Sequence, residues 1–82
     1  MFKRILIANR GEIAVRIIRC LNQMGIESVV VYSDPDKSSL AVQMATMAIP
    51  LNGVSSAETY LNIEKLTQAI KASKAEAVHP GY

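Results

Sequence analysis

The spacing of apolar residues changes soon after the start of the chain. Residues 5–8 form a continuous apolar run, which predicts a short strand that is buried on both faces. After Asn9-Arg10-Gly11, the apolar residues recur with a helical period. They are Ile13, Ala14, Ile17, Ile18, Leu21 and Met24. A buried strand that leads through a tight turn into an amphipathic helix is typical of the first unit of a doubly wound α/β domain.

The same alternation continues along the chain. The predicted strands cover residues 5–8, 27–32, 47–51 and 75–78. Of the three predicted helices, the first ends at Gly25, the second covers residues 38–46, and the third runs from Thr59 or Asn62 to Ser73. Gly25 is expected to end the first helix, because a left-handed conformation costs glycine little. Asp34 or Asp36 is expected to cap the second helix. The third helix is expected to face inward through Ile63, Leu66 and Ile70.

Right-handed crossovers between parallel strands restrict how these elements assemble. The favoured fold is α/β, with a small, doubly wound, Rossmann-like parallel sheet in the strand order 3-2-1-4. Pro50 lies near the end of the third strand, which suits an edge position. Ligands of such sheets bind at the carboxyl ends of strands where the order reverses. The two segments expected there are Asn9-Arg10-Gly11 and His79-Pro80-Gly81-Tyr82.

Composition narrows the class of protein. Residues 1–82 suffice for one domain, and the net charge of +2 comes from nine basic and seven acidic residues spread along the chain. This pattern argues against nucleic-acid binding, and no apolar run approaches a signal peptide or the ~18 residues of a membrane span. Cys20 is expected at a core-facing helical position. Because it is the one cysteine, no disulfide can form within the chain, and a cytoplasmic protein is expected.

Dinucleotide binding is disfavoured, although Asp34 comes after the second strand where a ribose-binding acid would lie. The first turn holds one glycine, Gly11, where the dinucleotide fingerprint needs three. Arg10 and Glu12 would also crowd a pyrophosphate. The favoured role for Asp34 is therefore a helix cap.

The two segments at the carboxyl edge each have a structural and a functional interpretation. The turn formed by Asn9, Arg10, Gly11 and Glu12 can present backbone N–H groups to an anion. Glu12 already places a carboxylate at the positive end of the helix, so a plain strand-to-helix turn is favoured. His79 is the one histidine, and no metal site is expected from it.

A polar stripe runs along the first helix. Glu12, Arg16, Arg19 and Gln23 lie on one side of the helix, and Glu12 and Arg16 are spaced to form an ion pair. From the residues alone, such a stripe is more often a solvated face than an interface.

Four segments closely resemble the N-terminal domain of biotin carboxylase. They are KRILIANRGEIAVRIIR from Lys3, VVVYSDPD from Val29, YLNI from Tyr60 and the terminal HPGY. This ATP-grasp family, with its pre-ATP-grasp N-terminal fold, is shared by acetyl-CoA, propionyl-CoA and pyruvate carboxylases. The resemblance covers residues 1–82 and implies a domain that is incomplete at its C-terminal end, cut after HPGY.

The resemblance implies that the full-length protein is an ATP-dependent ligase. It would carboxylate carrier-bound biotin with MgATP and bicarbonate, using catalytic, nucleotide and Mg²⁺ residues in later domains. This segment would then be inactive alone and bind no cofactor. The implied partners are a second copy of the chain, the biotin carboxyl carrier protein and the carboxyltransferase. The implied setting is the cytoplasm, or the mitochondrion in a eukaryote, with fatty acid biosynthesis as the role if the enzyme is an acetyl-CoA carboxylase.

The resemblance also assigns surfaces to individual residues. His79, Gly81 and Tyr82 are expected on the biotin side of the active-site cleft. The residues expected at a dimer contact are Arg16, Arg19 and Gln23. In that family a further helix covers strands 1 and 4, so without it the residues expected to keep exposed apolar surface are Ile5, Ile7 and Val78.

A second class of protein shares the strand, turn and helix. It is a non-enzymatic α/β module that binds a small ligand or senses a nucleotide. The two classes differ beyond Tyr82: a biotin carboxylase continues into a glycine-rich ATP-grasp loop, whereas a small module ends in a stop codon.

Overall fold

The computed structural model describes residues 2–80, which contain four strands and three α-helices. The strands are β1 (Arg4–Ile7), β2 (Glu27–Tyr32), β3 (Met47–Pro50) and β4 (Ala77–His79). The helices are α1 (Gly11–Met24), α2 (Leu40–Met44) and α3 (Ile63–Ser73). A 3-10 turn at Asp34–Asp36 comes after β2. The predicted α/β class is confirmed.

The four strands form one parallel sheet in the order β3-β2-β1-β4, as predicted. β1 pairs with β2 on one side, with Leu6 opposite Val29, and with β4 on the other, with Leu6 opposite Val78. β3 lies at the edge, in agreement with the position of Pro50. The order reverses between β1 and β4, so the carboxyl ends of these two strands form the expected binding edge.

Helices cover both faces of β1. Ile7 belongs to a core cluster with residues of α1. Leu6 belongs to a second cluster, which includes Ala69 of α3 and Tyr60 from the segment before α3. Neither Leu6 nor Ile7 has exposed surface. The prediction that β1 is buried on both faces is confirmed.

α1 packs on the sheet through only part of the predicted face. Its buried residues are Ala14, Val15, Ile18 and Leu21. Ile13 and Met24, which were also predicted to face inward, are each 57% exposed. The apolar stripe of α1 is wider than one contact between a helix and a sheet, so its flank lies outside the core. Cys20 is exposed as well, and its prediction as core-facing is wrong. It lies two positions after Ile18, about 200° around the helix.

The predicted end of α1 at Gly25 is confirmed, but the predicted capping of α2 by Asp34 or Asp36 is wrong. Gly25 ends α1 in a left-handed conformation with φ 72°. Neither Asp34 nor Asp36 caps α2, because both lie in the 3-10 turn that precedes it. Ser39 caps α2 instead, accepting a hydrogen bond from the Val42 N–H at 3.3 Å. α2 is consequently shorter than predicted.

α3 approaches the sheet through small side chains. It begins after Asn62, whose side chain accepts a hydrogen bond from the Lys65 N–H at 3.1 Å, which is one of the two predicted starts. Ala69 and Ser73 are buried, whereas Ile63 is 79% exposed, so its predicted inward orientation is wrong. Leu66 and Ile70 are half-buried. The large apolar residues line a groove of about 400 Å³ beside β4, together with Val78 and Pro80.

β4 begins later than predicted, at Ala77, and includes His79. Val78 is 40% exposed and Ile5 is half-buried, so both keep apolar surface as expected, although Ile5 packs against the α1 cluster. The same expectation is wrong for Ile7, because α1 covers that side of β1.

Candidate functional site

Two segments from opposite ends of the chain meet at the carboxyl edge of β1 and β4. The backbone N–H of Ala8 donates to the carbonyl of His79 at 3.0 Å. The Asn9 Oδ1 lies 2.7 Å from Nδ1 of His79. Because an amide oxygen only accepts, Nδ1 of His79 donates to it. Asn9 and His79 are therefore joined at the place that the strand order predicted, whereas Gly81 and Tyr82 lie outside the described residues.

The turn after β1 requires a positive φ at Gly11. Arg10 is the N-cap of α1 in an extended conformation, and its side chain makes no capping hydrogen bond. Gly11 has φ 60°, and a Cβ built there would have no atom within 4 Å. The position therefore favours glycine because of its backbone conformation rather than for lack of space. Glu12 lies exposed in the first turn of α1, as predicted for a carboxylate at the positive helix end.

The sequence did not predict the cluster formed by Arg10, Asp36 and Tyr60, which we call the Asp36 clamp. Oδ2 of Asp36 accepts hydrogen bonds from Nε of Arg10 at 2.9 Å and from the Tyr60 hydroxyl at 2.5 Å. The Tyr60 hydroxyl in turn accepts the backbone N–H of Ser33 at 3.0 Å. The guanidinium carbon of Arg10 lies 4.7 Å from the centroid of the Tyr60 ring. The clamp thus links the turn after β1, the turn after β2 and the segment before α3.

The clamp keeps the Asp36 carboxylate ionised. Burial alone would raise the pKa of Asp36, but the hydrogen bonds from Tyr60 and Arg10 and the charge of Arg10 outweigh it and lower the pKa below its usual value. Burial and the hydrogen bond to Asp36 raise the pKa of Tyr60. At neutral pH, Tyr60 is therefore a protonated donor and Asp36 a charged acceptor.

A cleft of about 370 Å³ opens beside the clamp, between the turn after β1 and the end of β2. Its polar wall includes Asn9, Arg10, Asp36 and Tyr60, and Ala41 and Val42 of α2 contribute to its apolar wall. The cleft lies at the carboxyl edge of the sheet, the usual ligand position in this class of fold.

The predicted polar stripe lies on the outer side of α1. Arg16, Arg19 and Gln23 are all exposed. Within residues 2–80 the ion pairs are Arg4–Glu27 and Arg10–Asp36, so the expected pair between Glu12 and Arg16 does not form. The stripe is accessible from solvent and separate from the Asp36 clamp.

Residues 2–80 provide neither a metal centre nor a membrane-spanning helix. No group of three or more His, Cys, Asp or Glu side chains in this range is arranged to hold a metal ion. None of its helices has the length and apolar character needed to cross a bilayer.

These features define the chain as a small parallel α/β domain whose binding edge is built from side chains rather than from a glycine-rich loop. It belongs to the biotin carboxylase N-terminal domain family, because the model of that family matches residues 1–82. The resemblance seen in the sequence is confirmed.

Relatives share the whole chain but are much longer. Urea amidolyase of Saccharomyces cerevisiae is 54% identical over 82 residues, which are 100% of this chain and 4% of that protein. Biotin carboxylase 1 of Bacillus subtilis is 50% identical over 82 residues, which are 100% of this chain and 18% of that protein. This segment is therefore common to several carboxylases, and it is a small part of each.

A solved relative shows the same fold. The biotin carboxylase domain of 2-oxoglutarate carboxylase from Hydrogenobacter thermophilus is 44% identical with a TM-score of 0.90, covering 100% of this chain and 18% of that chain. That domain is described as a dimer in complex with MgADP, ADP and bicarbonate.

Proposed function

We propose that residues 1–82 are the N-terminal part of a longer biotin carboxylase, an ATP-dependent ligase that carboxylates carrier-bound biotin with MgATP and bicarbonate. The observation that supports this most directly is the contact between Asn9 and His79. The contact brings Asn9 of the segment IANRGEIA and His79 of the segment HPGY to one edge of the sheet, and these two segments resemble the family most specifically. The family match over the whole chain and the bicarbonate in a solved relative also support the proposal.

In this proposal the segment supplies a platform, and later domains supply the catalytic groups. The Asp36 carboxylate already accepts two hydrogen bonds from its own domain, so it is not assigned a catalytic role. ATP and Mg²⁺ are assigned to the longer part of the protein, which would position and neutralise the phosphates. His79, Gly81 and Tyr82 are assigned to the biotin side of the cleft.

The polar stripe on α1 is proposed as a surface for homodimer formation. Arg16, Arg19 and Gln23 are exposed and therefore available to a second copy. Ile13 and Met24, which flank them, add exposed apolar surface of the kind found in interface cores. The dimer of the Hydrogenobacter relative supports this assignment.

The remaining partners belong to the same proposal. The carrier protein would present biotin to the cleft, and the carboxyltransferase would use the carboxylated product. A cytoplasmic location, or a mitochondrial one in a eukaryote, agrees with relatives that include mitochondrial carboxylase subunits.

The test begins with the complete reading frame. The protein that it encodes is purified, and ADP release is measured with bicarbonate, with and without free biotin, alongside Bacillus subtilis biotin carboxylase 1 as the positive control. We expect bicarbonate-dependent ADP release that rises when biotin is added, with labelled bicarbonate incorporated into biotin.

Two results would contradict the proposal. A stop codon directly after Tyr82 would favour the small binding module, with the cleft beside Asp36 as its ligand site. A longer protein that releases no ADP with bicarbonate and biotin, under conditions in which the control enzyme is active, would exclude the proposed reaction.

A further inference from the structure

The Asp36 clamp and the pair formed by Asn9 and His79 meet in one turn of the chain. Asn9 and Arg10 are consecutive residues, and their side chains point to different partners. Asn9 contacts His79 at 2.7 Å, and Arg10 contacts Asp36 at 2.9 Å. Any rearrangement of this turn that moves Arg10 therefore also moves the group that holds His79.

The Asp36 clamp fixes the positions of the loops more than it stabilises the fold. Tyr60 is only 4% exposed, so its ring fills the core, but a phenylalanine ring would fill almost the same space. The hydroxyl adds two directional hydrogen bonds, because it donates to Asp36 and accepts the Ser33 N–H. The ion pair between Arg10 and Asp36 is partly exposed, with 42% and 25% of the side-chain surface accessible, and such pairs contribute little to stability.

We infer that Asp36 and Tyr60 are positioning residues for the biotin side of the cleft, a role that rests on the proposed function. They hold Arg10 and, through the turn, Asn9, so that His79 is kept in a single orientation. Binding groups held in this way act without reorganisation when the substrate arrives, and small displacements of such groups slow reactions strongly.

The experiment uses the full-length protein with Tyr60→Phe and Asp36→Asn. Tyr60→Phe removes both hydrogen bonds of the hydroxyl, and Asp36→Asn removes the carboxylate charge that Arg10 and Tyr60 contact. Both variants nearly keep the size of the side chain. Asp34→Asn is the matched control, because Asp34 lies exposed in the same 3-10 turn. Two reactions are compared: ADP release with bicarbonate alone, and the additional release caused by free biotin. Thermal melting is recorded for every variant.

We expect kcat/KM for biotin to fall roughly tenfold or more in both clamp variants. The biotin-independent reaction and the KM for ATP should stay within about twofold of the wild type, as should all values for Asp34→Asn. Asp36→Glu, which restores a carboxylate, should recover part of the loss.

Three other outcomes are distinguishable. Unchanged kcat/KM for biotin in both variants would overturn the inference. Parallel loss of both reactions with a lowered melting temperature would also overturn it, since the clamp would then only hold the fold. A wild-type protein without biotin-stimulated ADP release would refute the proposed function itself, and the inference with it.

Discussion

The Tyr60 hydroxyl donates to Oδ2 of Asp36 at 2.5 Å, across 24 residues of sequence. A distance in this range is typical of an O–H group that donates to an ionised carboxylate. The contact ties the segment before α3 to the turn after β2, and it ends at the same oxygen that Arg10 reaches from the turn after β1. One carboxylate oxygen thus connects three loops at the binding edge.

The first prediction concerns pH. The folded pKa of Asp36 is lower than its ordinary value of 3.8, so the ionised carboxylate contributes stability above about that pH and loses it as the pH falls through the folded pKa. Asp36→Asn should therefore lower stability at pH 7, by about 1 kcal/mol or less because the group is partly exposed. The deficit should shrink as the pH falls from 5 toward 3, which thermal melting at several pH values would measure. A deficit that is constant over this range would show that ionisation of Asp36 does not matter.

The second prediction concerns Gly11. Gly11→Ala should destabilise the protein by roughly 1–2 kcal/mol, because an L residue at φ 60° is strained even where space is open. Gly25→Ala is the matched control for strain, since Gly25 also has positive φ and open space around a Cβ. Gly11→Asn should lose less than Gly11→Ala, because asparagine tolerates this conformation better. Denaturant melts would compare the three variants, and a neutral Gly11→Ala would argue against backbone strain at this turn.

The third prediction concerns self-association. Arg19→Glu in the full-length protein should shift sedimentation toward the monomer with little change in melting temperature. Exposed helix charges contribute only ~0.3–0.5 kcal/mol per pair to stability, whereas a reversed charge is placed twice in a two-fold contact. Lys71→Glu, an equivalent change on the exposed side of α3, should leave the sedimentation unchanged. If Arg19→Glu keeps the dimer or unfolds the domain, α1 is not the contact.

The fourth prediction concerns activity. Residues 1–82 alone should neither hydrolyse ATP nor carboxylate biotin, because the proposal assigns the phosphate-binding and Mg²⁺-binding groups to later domains. ADP release is measured with bicarbonate and biotin, with the full-length protein as the positive control. Biotin-dependent turnover by the pure 82-residue chain would refute this division of roles.

The fifth prediction concerns β4 in the isolated 82-residue chain. Val78 is 40% exposed, and large apolar residues line the groove beside it. Incomplete burial forgoes part of the ~1.5–3 kcal/mol that a fully buried aliphatic side chain contributes. Amides of residues 75–78 should therefore exchange faster with solvent than those of residues 5–8 in a monomeric sample. Equal protection of the two strands in hydrogen-exchange measurements would contradict this.

Sequence reasoning succeeded where a structure depends on neighbouring residues or on chain handedness. The bounds of β2 and the end of α1 at Gly25 agree with the prediction. The strand order is a consequence of right-handed crossovers, and it correctly predicts that Asn9 and His79 lie at the same edge of the sheet. The helix faces were less accurate, because Ala69 and Ser73 give α3 its close contact although they are less apolar than Ile63.

The clamp could not be read from local patterns. Asp36 lies in an Asp-Pro-Asp sequence that equally suits a helix cap, and its partners are 24 and 26 residues away. One signal was present: Tyr60 is an aromatic residue whose hydroxyl needs a polar partner when it is buried. Which partner it takes depends on how three loops pack, and this information is absent from any single segment.

The exposed Cys20 offers a practical route to the proposed dimer. It is the single cysteine of residues 1–82, and it lies on α1 directly after Arg19. A thiol-reactive spin label would therefore attach to this domain at one defined place without any substitution. In a dimer that is joined through α1, two labels would lie close enough for their dipolar coupling to be measured, and dilution to monomers would abolish it.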